Sequence, residues 1–248
     1  MTVSSKIVKT YRRSIVNQKP WAVLLCKFSD DDSEPFERSF YENLFTESGI
    51  GTQNMVDFFT DASHRKLDLR HTKVFGWYFL DKTRADYAKA LAKNQNEGRY
   101  MLLAWARQVA TDNKVDLSGF FSVVVCMNVP TDLFGTLGNP SGGVVCDRNS
   151  MAPSLLGQEM GHVYGLDHSR TDGSDEDYQD FWDIMSTAGS AHSASHPQFF
   201  SIGPGLNAAN MASRKWLDES RVWQASDRTI NTVVELRPLH RYDLPGFL

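Results

Sequence analysis

Cysteine is scarce in this sequence: Cys26, Cys126 and Cys146 are the only three in 248 residues. An odd number excludes a fully paired disulfide framework, and none stands in a C-x-x-C pair of the kind that binds metal or does thiol redox chemistry. Cys26 and Cys126 lie in apolar runs, where buried free thiols are the expected state; a Cys126–Cys146 bridge is the less favoured alternative. Long apolar runs are missing as well. The stretch "FFSVVVCMNV" (Phe120–Val129) is too short to span a bilayer and reads as a buried strand. No Lys/Arg run is present, and 26 basic against 30 acidic residues give a formal charge of −4, which excludes a nucleic-acid footprint. Residues 1–20 hold no apolar signal-peptide core, which leaves a cytosolic protein or an internal piece of a longer chain given a start Met. Repeats and low-complexity linkers are also absent.

What is present suits a folded domain. Hydrophobic residues make up 41% of the chain and charged residues 23%, enough for a core and a wet surface. "WAVLLCKF" (Trp21–Phe28) reads as a buried strand, and a helix is expected from Pro35 through "PFERSFYENLF". "NMVDFFTDAS" predicts a short helix, and "KLDLRHTKVFGWYFL" a strand pair broken near His71. Helical spacing recurs over Arg84–Lys93 and Glu97–Thr111, then strands over "SGFFSVVVCMNV" and Gly143–Cys146. A helix begins near Pro153, another covers Gly205–Leu217, and "TINTVVELRPL" closes with a strand. Alternating strands and helices predict an α/β layer over residues 1–165, followed by a mostly irregular subdomain over 166–248, the two forming one domain.

The chemistry concentrates in "SLLGQEMGHVYGLDHSR" (Ser154–Arg170). Gln158 and His162 are four apart, so a helix projects both from one face, with Glu159 bordering it. Gly165 lets the helix end in a left-handed turn, which brings His168 back toward the same point. Three donors then converge and a fourth position stays open for water, the arrangement of a catalytic zinc. Glu159 is the candidate general base. An isolated E-x-x-H is usually a surface pair or a satisfied histidine. Here Glu159, His162, Gly165 and His168 agree in order behind a β-rich layer, and "DFWDIMSTAG" (Asp180–Gly189) follows.

Gln158–His168 together with Met185 resembles the metzincin metallopeptidases, and "FWDIMS" with "GPGLNAANMASRKWL" resembles their gametolysin-like and immune-inhibitor-like secreted members. The resemblance covers roughly Gly119–Leu217. It implies a twisted mixed β-sheet with packed helices, an active-site helix, an extracellular location, and Met185 as a hydrophobic floor beneath the metal. Core packing alone would serve Met185 equally. It also implies a polypeptide substrate lying antiparallel to an edge strand, for which Gly143, Val144 and Val145 are the candidates.

Three departures qualify the likeness. Gln158 stands where the metzincin pattern carries a first His, a variation known among the gametolysin-like members, and a neutral amide oxygen is a poorer zinc donor than imidazole. Copper or another divalent ion is therefore open beside zinc. Ser186 and Thr187 follow Met185, so no Tyr stands there to stabilise an oxyanion, a task left to the metal itself or to a group elsewhere; His192 and His196 are candidates by position in the sequence, against the commoner reading of solvated loop histidines. No inhibitory propeptide is recognisable. "SDDDSE" (Ser29–Glu34) and "DGSDEDYQD" (Asp172–Asp180) offer oxygens for calcium but lack EF-hand spacing. The expected activity is metal-dependent endopeptidase hydrolysis of a polypeptide, without nucleic-acid partner or membrane span. The alternative is a catalytically weak or inactive relative that binds a polypeptide or glycoprotein in the old cleft, with Gln158 as an inactivating replacement.

Overall fold

The computed structural model describes residues 17–187, 191–225 and 233–248. In chain order its regular elements are β1 (Asn17–Gln18), β2 (Trp21–Lys27), α1 (Arg38–Phe45), α2 (Met55–Ala62), β3 (Leu67–Asp68), β4 (Lys73–Phe79), α3 (Arg84–Lys93), α4 (Gln95–Asp112), β5 (Ser122–Met127), β6 (Phe134–Gly135), β7 (Val144–Asp147), α5 (Pro153–Val163), β8 (Ala194–His196), β9 (Phe200–Ile202) and α6 (Ala208–Ser213).

β2 and β5 are buried along their whole length, with no polar-apolar alternation, because helices cover both faces of the sheet they share. Trp21, Val23, Leu25, Val124 and Cys126 face α1, α2 and α5. Leu24, Val123, Val125 and Met127 face α3 and α4 through Tyr87, Leu102, Leu103, Ala106 and Ala110. The result is a three-layer α/β arrangement around a five-stranded sheet of order β4-β2-β5-β7-β6. All neighbours run parallel except the last, β6 against β7. Among the described residues no helix is long and apolar enough to cross a membrane.

Local sequence explains most of the helix starts. Asn54 caps α2 by accepting from the Val56 and Asp57 amides. Thr83 and Asp86 close a reciprocal capping box on α3. Pro153 opens α5, where its missing N–H costs nothing.

Several expectations need correction. α1 begins at Arg38 rather than Pro35. The two halves of "KLDLRHTKVFGWYFL" do not pair with each other: β3 joins β1 and β4 joins β2, separated by His71 at φ 74°. α6 is confined to Ala208–Ser213 because Lys215 turns left-handed at φ 59°. The closing strand falls partly outside the described residues, and the described remainder forms only an isolated bridge, Leu236 to Phe247. Gly143, Val144 and Val145 are not on an edge. β7 is hydrogen-bonded on both sides, to β5 and β6, and Val144 and Val145 are fully buried, so the edge strand on that side of the sheet is Phe134–Gly135. The three cysteines are free and buried; Cys126 and Cys146 are neighbours in register with Sγ atoms 3.5 Å apart. Burial pushes the Cys26 and Cys146 thiols well above the usual range, as for inert core residues.

Candidate metal centre

α5 is fixed from behind by aromatic packing at its C-terminal end. The Trp21 indole donates to the Tyr164 hydroxyl at 2.8 Å, and the Tyr164 ring stacks on Phe121 and meets Phe59 edge-on, each at 5.0 Å between centroids. On another face, Gly157 and Gly161 let the turn Ile184–Ser186 come close. A Cβ at Gly157 would lie 2.4 Å from Ile184 Cδ1, and one at Gly161 2.8 Å from Met185 Sδ. Met185 is fully buried against this stripe, as a floor beneath the helix requires.

The helix ends in a Schellman motif. The Gly165 amide donates to the His162 carbonyl at 2.8 Å and the Leu166 amide to the Gly161 carbonyl at 3.0 Å, with Gly165 at φ 88°. This reversal places the Leu166 carbonyl 2.8 Å from His162 Nδ1. A carbonyl only accepts, so Nδ1 carries the proton and Nε2 presents its lone pair. Burial lowers the His162 pKa below its usual value, favouring the neutral ring a metal needs.

The same turn carries His168 back, so that the two imidazole centroids are 4.7 Å apart at 72°. His168 Nδ1 lies 2.9 Å from Asp177 Oδ2. The hydrogen bond from His168, ahead of the Arg170 contacts, holds the Asp177 carboxyl below its usual range. Asp177 is thus an acceptor, and His168 also points Nε2 away from its partner. Imidazoles whose outer nitrogen donates to a carboxylate or carbonyl are the usual form of metal-ligating histidine.

Glu159, three residues before His162 on the same helix, is 8% exposed. Burial pushes its carboxyl up to about 7, opposed by the Gly135 amide that hydrogen-bonds it from β6. Gln158, 3% exposed, is one helical turn before His162. The Tyr178 hydroxyl stands 3.3 Å from His168 Nε2, with its ring 4.4 Å from the imidazole centroid. Burial, then Asp177 and Glu159, raise the Tyr178 pKa, so the phenol is protonated.

Below the site one carboxylate ties three segments together. Asp183 is fully buried and accepts from Ser169 Oγ at 2.6 Å, Asn210 Nδ2 at 2.5 Å and the Met185 amide at 3.0 Å. Its near neighbour Asp180 accepts from Asn207 Nδ2 at 2.9 Å. The two asparagines of "GLNAANM" therefore hold the two aspartates of "DFWD", and Ser169 adjoins His168.

The structure thus brings His162 and His168 together and packs Met185 against Gly161, with Gln158 and Glu159 on the same helix as His162. It does not bring His192 or His196 to them. His192 packs on Trp182 and Phe181, and His196 stacks on Phe199 while its Nδ1 accepts backbone amides. Sequence reasoning missed Asp177 and Tyr178 as individual groups, seeing only an acidic stretch, and met Asp183 only as part of the segment that carries Met185. Several of the carboxylates considered for calcium have protein partners: Asp32 and Glu34 pair with Lys27, Asp30 with Arg84, and Asp177 with His168 and Arg170. Among the described residues no three His, Cys, Asp or Glu side chains form a metal-binding group. The donor set is two oriented imidazoles, to which Gln158 would add an amide oxygen. Those groups suit a divalent ion of zinc or copper type, with weaker affinity than three imidazoles.

No family model and no curated protein matches the chain. Among solved structures, "Structure of a chaperone-substrate complex" shows 17% identity and a TM-score of 0.35 over 79% of this chain and 29% of its own length. This chain therefore spans less than a third of that one, and a likeness at this level carries no inference about fold or activity.

Proposed function

We propose that the chain is a metal-dependent endopeptidase of metzincin type. One observation carries the reading: His162 and His168, adjacent across a glycine turn, each have the outer nitrogen taken by an acceptor, with a buried carboxyl on the same helix as His162. Gln158, His162 and His168 would hold the ion. When bound, it supplies a Lewis acid and makes water acidic enough to be deprotonated near neutral pH. Glu159 accepts that proton and returns it to the departing amine, a task suited to a carboxyl pushed toward neutrality. Met185 fills the space beneath the helix. A polypeptide in extended form would run beside β6, the sheet edge whose Gly135 amide contacts Glu159.

The test uses the purified full chain. We expect substoichiometric zinc after dialysis, recovery on adding zinc, and casein cleavage that a chelator abolishes and zinc restores; copper is assayed in parallel. Failure to take up any divalent ion, with no cleavage, would replace this reading by that of a polypeptide-binding relative that has lost turnover.

A further inference from the structure

In peptide hydrolysis by an activated water the carbonyl oxygen gains charge as the water adds, and a hydrogen-bond donor there adds to what a Lewis-acidic ion supplies. Among the described residues, Ser186 and Thr187, which follow Met185, do not offer one. Ser186 is fully buried, its hydroxyl accepting from the Asp180 amide, and the Thr187 hydroxyl donates to the Ile184 carbonyl. His192 and His196 are engaged elsewhere.

We infer that Tyr178, through its phenol O–H, is the hydrogen-bond donor that stabilises the scissile carbonyl oxygen as it becomes charged. The inference rests on the endopeptidase reading above and names a residue for it. The hydroxyl stands 3.3 Å from His168 Nε2, the atom that would ligate the ion. It is therefore within reach of a substrate oxygen drawn to that point. Its backbone is held for the purpose. Tyr178 has φ 64°, a left-handed conformation that costs a non-glycine residue energy and persists only when neighbours impose it. They do so here: the Gln179 amide donates to the Ser169 carbonyl at 2.9 Å, and Asp177 is fixed by His168 and by Arg170 at 2.7 Å. In the reaction the water oxygen bonds to the carbonyl carbon and the π pair moves onto the carbonyl oxygen. The water's proton passes to Glu159, which delivers it to the amine as the C–N bond breaks. Tyr178 keeps its proton throughout.

The test compares zinc-loaded wild-type chain with Tyr178→Phe, which removes one oxygen and leaves the ring. Three quantities are read: kcat and KM on a casein-derived peptide, zinc affinity by chelator competition, and calorimetric affinity for a phosphinic peptide that mimics the tetrahedral species. The expected result is a kcat lower by about a hundredfold, KM and zinc affinity within about threefold of wild type, and phosphinic affinity lower by at least about tenfold. Unchanged kcat and phosphinic affinity would overturn the assignment while leaving the endopeptidase reading intact. A large loss of zinc affinity would overturn it too, by making Tyr178 a ligand. A zinc-loaded wild-type chain that neither cleaves the peptide nor binds the phosphinic compound would remove the endopeptidase reading and this inference with it.

Discussion

Asp177 Oδ2 lies 2.9 Å from His168 Nδ1, and the same carboxylate is paired with Arg170. The histidine on the loop, unlike His162 on the helix, owes its ring orientation to a side chain nine residues downstream. Asp177→Asn keeps the shape but replaces the charged acceptor. Zinc affinity should fall by roughly 10- to 100-fold with little change in thermal stability, as measured by chelator competition and a melting curve. Unchanged affinity would mean that the loop holds His168 without this partner.

Glu159→Ala should abolish cleavage, by at least about a hundredfold in kcat/KM, while leaving bound metal near the wild-type level, because the carboxyl moves a proton and does not hold the ion. His162→Ala should remove both. In wild type the acid limb of kcat/KM should lie at or below about pH 7: below its pKa Glu159 is protonated and cannot accept a proton, and a nearby cation only lowers that pKa. Cleavage by Glu159→Ala at the parental rate would exclude the mechanism.

Gln158→His places a third imidazole one turn before His162, at a position 3% exposed. Zinc affinity should rise, since imidazole is the better donor. Turnover should gain little, because the shorter side chain draws the ion toward the helix and away from the spacing that the amide sets relative to Glu159. Proteolysis appearing only in the histidine variant would identify Gln158 as an inactivating replacement.

Asp183 satisfies the Ser169 hydroxyl, the Asn210 amide and the Met185 N–H at once. Asp183→Ala leaves the Ser169 hydroxyl and the Met185 N–H without this acceptor in the core, with Asn210 Nδ2 retaining only its 3.2 Å bond to Ser169 Oγ, and should cost roughly 3 kcal/mol in urea unfolding. A cycle with Asn210→Ala should show coupling on the order of 1 kcal/mol. Additive effects would mean that the two segments are held independently.

His64 is buried and His240 half-buried, and desolvation lowers both below the usual 6.5, assisted for His64 by Arg237, Lys66 and Arg221 and for His240 by His64. As pH falls, the unfolded chain takes up these protons first. The stability they contribute is complete above about pH 6.5 and is lost as pH falls through the lowered folded values. The urea midpoint should drop between about pH 7.5 and pH 5, and His64→Gln should flatten that slope.

Local pattern determined a good deal. Full burial of β2 and β5, the caps at Asn54 and Thr83, and the α5 start at Pro153 follow from short stretches, because periodicity and capping are properties of neighbours in the chain. The spacing Gln158, His162, Gly165, His168 likewise foretold a helix, a left-handed glycine and the return of a second imidazole. Tertiary structure decided the rest. Which strand forms the sheet edge depends on pairing between distant segments, and here β6, two residues long, displaced Gly143–Val145 from that position. That Asp177 and Tyr178 rather than His192 or His196 stand beside His168 depends on the path of a loop without regular structure. The bond from Asn210 to Asp183 joins residues 27 positions apart, a separation that no local periodicity encodes.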